Sequence, residues 1–167
     1  KSTRGKISDY GIQLQAKQRL KFYYGNMNER QFRNIYRKAI QKKGNTSENL
    51  VSFLESRLDT VIYRAKFAST VFAARQLINH GHIKVNGKKV NIPSYKVKAE
   101  DSIEIKDKSK DIANIIRALS SKEREVPEYI QLDEKNKKAK LVRIPKFSEV
   151  PYPTIMEPNL VIEYYSR

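Results

Sequence analysis

The sequence predicts an α+β fold, mainly helical up to residue 80 and strand-bearing after it. Two observations lead there. Apolar residues recur at helical spacing through the first half, with polar caps and glycine stops between the runs. From residue 83 onward, short stretches alternate apolar and polar side chains around turn signals, as half-buried strands do. The chain of 167 residues has room for one domain or two small ones, each with a modest core.

The basic lead from Lys1 to Lys6 runs into Ser8 or Asp9, either of which can cap a helix carrying Ile12, Leu14, Ala16, Leu20 and Tyr23 or Tyr24. Gly25-Asn26 ends it. The next helix is expected over Glu29 to Lys43, with Phe32, Ile35, Tyr36, Ala39 and Ile40 on one face. Arg30, Arg33 and Arg37 stack on another, because spacings of three, four and seven share a side. Gly44 closes that helix. Asn45 with Glu48 resembles a capping box for a helix whose apolar face is Leu50, Phe53, Leu54 and Leu58. A short helix at Thr60 to Ala65 follows, then one from Thr70 to His80, with Thr70 as N-cap and Gly81 as stop.

Ile83 and Val85 alternate with Lys84 as a strand. Asn86-Gly87 then predicts a type I′ hairpin, a turn that needs positive φ at both central residues. Ile103 and Ile105 around Glu104 read as another strand. Asp111 to Ser121 reads as a helix. Tyr129 to Asp133 and Lys140 to Ile144 can pair across a lysine-rich turn. Val150-Pro151-Tyr152-Pro153 is expected to be extended, since each proline biases its predecessor away from helix. Leu160 to Tyr164 reads as a last strand.

Charge narrows the function. There are 34 Lys and Arg against 18 Asp and Glu, a net +16, which suits a polyanionic partner. The excess is uneven: residues 1–50 carry 12 basic and 3 acidic groups, residues 51–106 carry 10 and 5, and residues 107–167 carry 12 and 10. The first segment is therefore expected to face phosphates, through Arg4, Lys6, Lys17, Arg19 and the arginine row, with Tyr10 available for stacking. No cysteine is present, so disulfides and thiolate metal sites are excluded within this sequence. No apolar run approaches the roughly 18 residues of a membrane span. The first residue is Lys rather than Met, so a preceding segment is expected to have been removed or left out.

Catalytic signals are missing. The six glycines form neither a Walker loop nor a dinucleotide fingerprint. His80 and His82 are the only histidines, and two without nearby cysteine make a poor metal site. They read either as polar groups at a helix end or as direct RNA contacts. No cofactor is expected. Arg57-Leu58-Asp59 can hold a structural Arg–carboxylate pair, an alternative to RNA contact by Arg57.

Two sets of motifs resemble a known family. Leu54-Glu55-Ser56-Arg57-Leu58-Asp59-Thr60-Val61, Ala74-Arg75-Gln76-Leu77-Ile78, Gly81-His82-Ile83 and Val85-Asn86-Gly87 resemble the S-four RNA-binding domain. Ser8-Asp9-Tyr10-Gly11, Tyr24-Gly25, Glu29-Arg30-Gln31-Phe32-Arg33, Lys43-Gly44-Asn45-Thr46 and the ending Leu160-Val161-Ile162-Glu163-Tyr164-Tyr165-Ser166-Arg167 are similar to the small-subunit ribosomal protein S-four family in its bacterial or organellar form.

The resemblance implies a mainly helical part before an S-four module of helices and a small antiparallel sheet. Residues 1–50 would be the basic helical rRNA-binding part and 51–106 the module core. Residues 107–167 would add a helix, a β-hairpin and a C-terminal strand packing on both. It further implies a structural constituent of the small ribosomal subunit that binds small-subunit rRNA and helps nucleate assembly. Contacts with ribosomal protein S-five, other small-subunit proteins and messenger RNA at the entry channel come with it, on a bacterial cytoplasmic or organellar ribosome. Family chains usually carry a further N-terminal segment, sometimes with zinc-binding cysteines, that is not in this sequence. The module's RNA face falls on the helices before the hairpin, which nominates Arg57, Arg64, Arg75, Gln76, His80 and Lys84, with Lys88 on the hairpin. The alternatives are a rescue or regulatory RNA-binding protein that visits ribosomes, and the accessory module of an RNA-modifying enzyme.

Overall fold

The computed structural model describes residues 8–167, so Arg4 and Lys6 lie outside the described residues. The chain divides into two units. One joins the described residues up to Val51 with Tyr152–Arg167, and the other is Ser52–Pro151.

The first unit is helical. Helix α1 spans Asp9–Tyr23, and the Ser8 side chain caps it by accepting from the Gly11 N–H at 3.1 Å. Gly25 and Asn26 take positive φ and turn the chain. Helix α2 spans Glu29–Gln41, capped by Asn28, whose Oδ1 accepts from the Gln31 N–H at 3.1 Å. It stops two residues short of the expected Lys43. Helix α3, Thr46–Glu55, crosses the division between the units; Asn45 caps it, accepting from the Glu48 N–H at 3.0 Å.

The chain ending is a helix, not the expected strand. Helix α7 covers Pro158–Tyr165. Leu160 to Tyr164 has the β-branched and aromatic content of a strand, but propensity is a weak prior beside packing. Pro158 sits in the first turn, where its fixed φ and missing N–H suit a helix start. Helical spacing then turns Val161 into the core and stacks Tyr165 on Tyr36, with ring centroids 4.7 Å apart. Helix α7 packs against both α1 and α2. Leu20, Tyr24, Phe32, Ala39 and Val161 are buried, whereas Ile12 and Ile40, expected on apolar faces, are exposed.

The second unit is a five-stranded antiparallel sheet with helices. Helix α4 spans Leu58–Arg64, and α5 spans Val71–Asn79 with Thr70 as its N-cap. Strands β1 (Ile83–Val85), β2 (Lys88–Lys89), β3 (Ser102–Ile105), β4 (Ile130–Asp133) and β5 (Lys138–Leu141) lie in the order β2-β1-β3-β5-β4. Helix α6, Ala113–Ser120, sits between β3 and β4 in sequence. The β4–β5 hairpin is tighter than expected. Asp133 accepts from the Asn136 N–H and Lys137 takes positive φ, so pairing resumes at Lys138. Ile83, Val85, Ile103, Ile105 and Leu141 send one face of the sheet into a core with Leu58, Ile62, Phe67, Ala74, Ile78 and Ile115. The opposite faces of β1 and β3 carry Lys84 and Glu104, directly paired across the ladder.

Asn86 and Gly87 have φ of 51° and 83°, the type I′ geometry. A β-carbon at Gly87 would touch nothing within 4 Å, so a substitution there acts through backbone strain alone. Gly87→Val is expected to cost roughly 1–2 kcal/mol in denaturant unfolding, and Lys88→Ala within about 0.5 kcal/mol. Equal midpoints for both variants would refute the turn assignment.

Candidate nucleic-acid interface

The basic residues fall into two groups: cations that hold the fold and cations left for solvent or a partner. In the helical unit, Lys17 belongs to the first. It is 4% exposed, its Nζ lies 2.6 Å from Glu29 Oε1, and it sits 4.9 Å from the centroid of the Tyr164 ring. The Tyr165 hydroxyl donates to Glu29 Oε2 at 2.8 Å. One carboxylate on α2 thus ties α1 to α7. Tyr10 is 48% exposed but packs on Tyr164, with the Arg167 guanidinium 5.2 Å from its ring centroid. Arg167 Nε in turn donates to Gln13 Oε1 at 2.7 Å. The Tyr-Tyr-Ser-Arg ending is therefore a clamp on α1 and α2.

This clamp responds to pH. Burial pushes the Glu29 carboxyl up, but the bonds from Lys17 and Tyr165 and the charges of Lys17 and Lys21 more than offset it, leaving it below the ordinary value of 4.5. A carboxyl lowered on folding contributes stability above its unfolded pKa and loses it as pH falls through the folded one. The Tyr165 hydroxyl is raised above 10.0, first by burial and then by Glu29. Its contribution is complete below 10.0 and is lost as pH rises through the raised value. Glu29→Gln is accordingly expected to lower the melting temperature at about pH 7, and the gap to the parent should shrink at about pH 3. A gap independent of pH would show that Glu29 is not ionised in this clamp.

The arginine row belongs to the second group. Arg30 and Arg37 are exposed and Arg33 is half-buried. Among the described residues, no carboxylate forms an ion pair with any of the three. Arg19 is also exposed, with Glu157 at 3.9 Å. A surface pair at that distance is worth little and yields easily to phosphate.

In the sheet-bearing unit, two nominated arginines are structural. Arg57 is 6% exposed and Arg64 3%. Asp59, fully buried, accepts from Arg57 Nε and Nη2 at 3.1 and 3.0 Å, from the Thr60 N–H at 2.7 Å, and from Arg75 Nε at 3.0 Å. Glu55, also fully buried, takes Arg64 in a fork at 3.0 and 2.8 Å and the Tyr129 hydroxyl at 2.8 Å. The Arg57–Asp59 pair matches the structural alternative read from sequence. Arg75 bridges both groups: Asp59 anchors it, yet its side chain stays 20% exposed.

Gln76, His80 and Lys88 are exposed, and Lys84 is half-buried on β1. Phe72 is 63% exposed. It shares a face of α5 with Arg75, Gln76 and Asn79, at the i, i+3, i+4, i+7 spacing. An exposed ring beside basic and amide side chains is what base stacking uses. Arg124 has a role that sequence reasoning missed. It donates to the Tyr63 and Ala68 carbonyls and stacks 3.8 Å over the Tyr63 ring, pinning the 121–128 loop to the α4–α5 corner. Those partners lie about sixty residues away in sequence, so no local signal announces them.

No helix among the described residues is long and apolar enough to cross a membrane. Comparison with known proteins covers nearly the whole chain. Residues 1–55 match the family described as ribosomal protein S4/S9 N-terminal domain, and residues 56–103 match the S4 domain. The small ribosomal subunit protein uS4 of Pelagibacter ubique is 74% identical over 164 residues, 98% of this chain and 80% of the relative. Its counterparts in Granulibacter bethesdensis and Caulobacter vibrioides are 61% and 57% identical, again over 98% of this chain and 80% of theirs. A helical part with an unneutralised arginine row, joined to an S4 domain and alike throughout to such proteins, belongs to the uS4 family of small ribosomal subunit proteins.

Proposed function

We propose that this chain is a structural constituent of the small ribosomal subunit, binds its rRNA directly and helps nucleate its assembly. The observation that carries the reading is the arginine row of α2, two exposed cations and one half-buried, none in an ion pair with a carboxylate among the described residues, in a chain of this family. Each arginine can displace condensed counterions from a phosphate, giving strong, salt-dependent affinity. A second surface follows α5, with Phe72, Arg75, Gln76 and His80, and Lys84 and Lys88 on the hairpin add further cations. Arg57, Arg64 and Lys17 serve binding indirectly, by holding the helices that present these surfaces. Recognition is of RNA shape, because the deep major groove of an A-form helix excludes side chains. A protein with two such surfaces can hold neighbouring RNA helices together and lower the entropic cost of the next assembly step.

The role involves no bond-making. Ribosomal protein S-five, other small-subunit proteins and messenger RNA at the entry channel are the further partners, on a bacterial or organellar ribosome. Filter binding of the purified chain to small-subunit rRNA, with large-subunit rRNA as competitor, tests the reading. Preference for small-subunit rRNA with a steep salt dependence is expected. Equal binding to both, or recovery of modified or cleaved RNA, would overturn it.

A further inference from the structure

Between α5 and α6 lies a groove of about 610 Å³. Its floor is apolar: the partly buried Leu77 and Ile112 supply the accessible apolar surface, and Phe67 beneath the lining is fully buried. Its rim is polar, formed by the exposed side chains of Gln76 from α5, His80 just after it, and Asn114 and Arg117 from α6. Arg117 is held in place by a hydrogen bond to Asn114 Oδ1. We propose that this groove receives one unstacked base of the bound RNA, an inference that rests on the RNA-binding role above.

The chemistry of the lining selects the occupant. A phosphate would gain nothing from the apolar floor. An apolar side chain of a protein would leave the polar rim unpaired. A nucleobase has a flat apolar face and an edge of donors and acceptors, which fits floor and rim together. Gln76 offers both an amide donor and a carbonyl acceptor to that edge. His82, half-buried in the groove lining, has its Nδ1 2.7 Å from Ser109 Oγ. Burial first, then Lys106 and His80, lower its pKa, so the ring is neutral at neutral pH and leaves the interior uncharged.

The nucleotide's own phosphate is also provided for. Arg117 stands at the rim. No side chain caps the start of α6 at Ile112, which leaves the positive end of the helix without a side-chain acceptor. The exposed Phe72 one turn away on α5 offers a ring for a neighbouring base. Gln76 and His80 were nominated from the sequence, but the α6 side of the groove was not legible there, because α6 is some forty residues from α5 along the chain.

The test is a titration of the isotope-labelled full chain, followed by NMR, with each of the four nucleoside 5′-monophosphates, with ribose 5-phosphate, and with N-acetyl-phenylalaninamide. At least one nucleotide is expected to shift the Gln76 and His80 signals saturably, while ribose 5-phosphate shifts Arg117 at most. Ala73→Phe, which fills the groove from its α5 wall, is expected to weaken that nucleotide about tenfold or more, the loss one stacked base accounts for. Gln76→Ala, an exposed position, should weaken it with the spectrum otherwise intact, and serves if Ala73→Phe fails to fold. Equal shifts from ribose 5-phosphate would reduce the groove to a phosphate contact and overturn the inference. Shifts from the phenylalanine amide alone would assign it to a protein partner and likewise overturn it. If no nucleotide shifts these signals while the chain still binds small-subunit rRNA, the base pocket falls and the rRNA-binding reading stands. If rRNA binding also fails, that reading falls with it.

Discussion

Glu55→Ala is expected to destabilise the sheet-bearing unit by about 3–5 kcal/mol, because it leaves the Arg64 guanidinium buried without its carboxylate. Glu55 is fully buried and Arg64 is 3% exposed, so water cannot substitute for the lost partner. The Tyr129 hydroxyl loses its acceptor in the same step. A loss of that size is a large part of the roughly 5–15 kcal/mol that holds a typical domain together. Urea unfolding of the full chain, followed by circular dichroism, reads it directly. Pairing the change with Arg64→Met should recover much of the loss, since the uncompensated charge is then gone. A single variant that costs under about 1 kcal/mol would mean that Arg64 finds another anion or water, against the burial described.

The second large effect concerns RNA. Replacing Arg30, Arg33 and Arg37 together with Gln is expected to leave the melting temperature within a few degrees of the parent, because none of the three is buried and none holds a carboxylate among the described residues. Affinity for small-subunit rRNA should fall. The slope of log affinity against log salt should shrink by roughly 0.7–0.9 for each phosphate contact removed, so by about 2–3 in all. Binding measured over a salt series checks it. An unchanged slope would make the arginine row a solvated helix face.

Most of the fold was legible because its signals are local. Asn45 and Thr70 cap the helices that follow, as their spacing announced, and Ser8 takes the cap that the sequence offered to it or Asp9; Asn28 caps α2 without having been read as a cap from the sequence. Asn86-Gly87 forms its hairpin because few residue pairs tolerate positive φ twice. Leu160 to Tyr164 misled because its composition favours a strand, while the deciding force is packing of Val161 and Tyr165 against helices from the other end of the sequence. The candidate interface divides in the same way. The arginine row followed from spacing along one helix. The burial of Arg57 and Arg64 depends on where Asp59 and Glu55 point, and for Glu55 on Tyr129, 74 residues on. Charge composition cannot separate an arginine that meets RNA from one that holds a helix. It also does not show which arginines are buried against a carboxylate, as Arg57 and Arg64 are.

A stable part of the small subunit must survive conditions that strip off visiting factors. Small subunits reconstituted with the tagged chain and sedimented through a high-salt wash show whether it does. One chain per subunit is expected to remain after the wash, because many phosphate contacts must be lost together before the chain can leave. Release of the chain at moderate salt, with subunits otherwise intact, would contradict the structural role and point to a factor that only visits the ribosome.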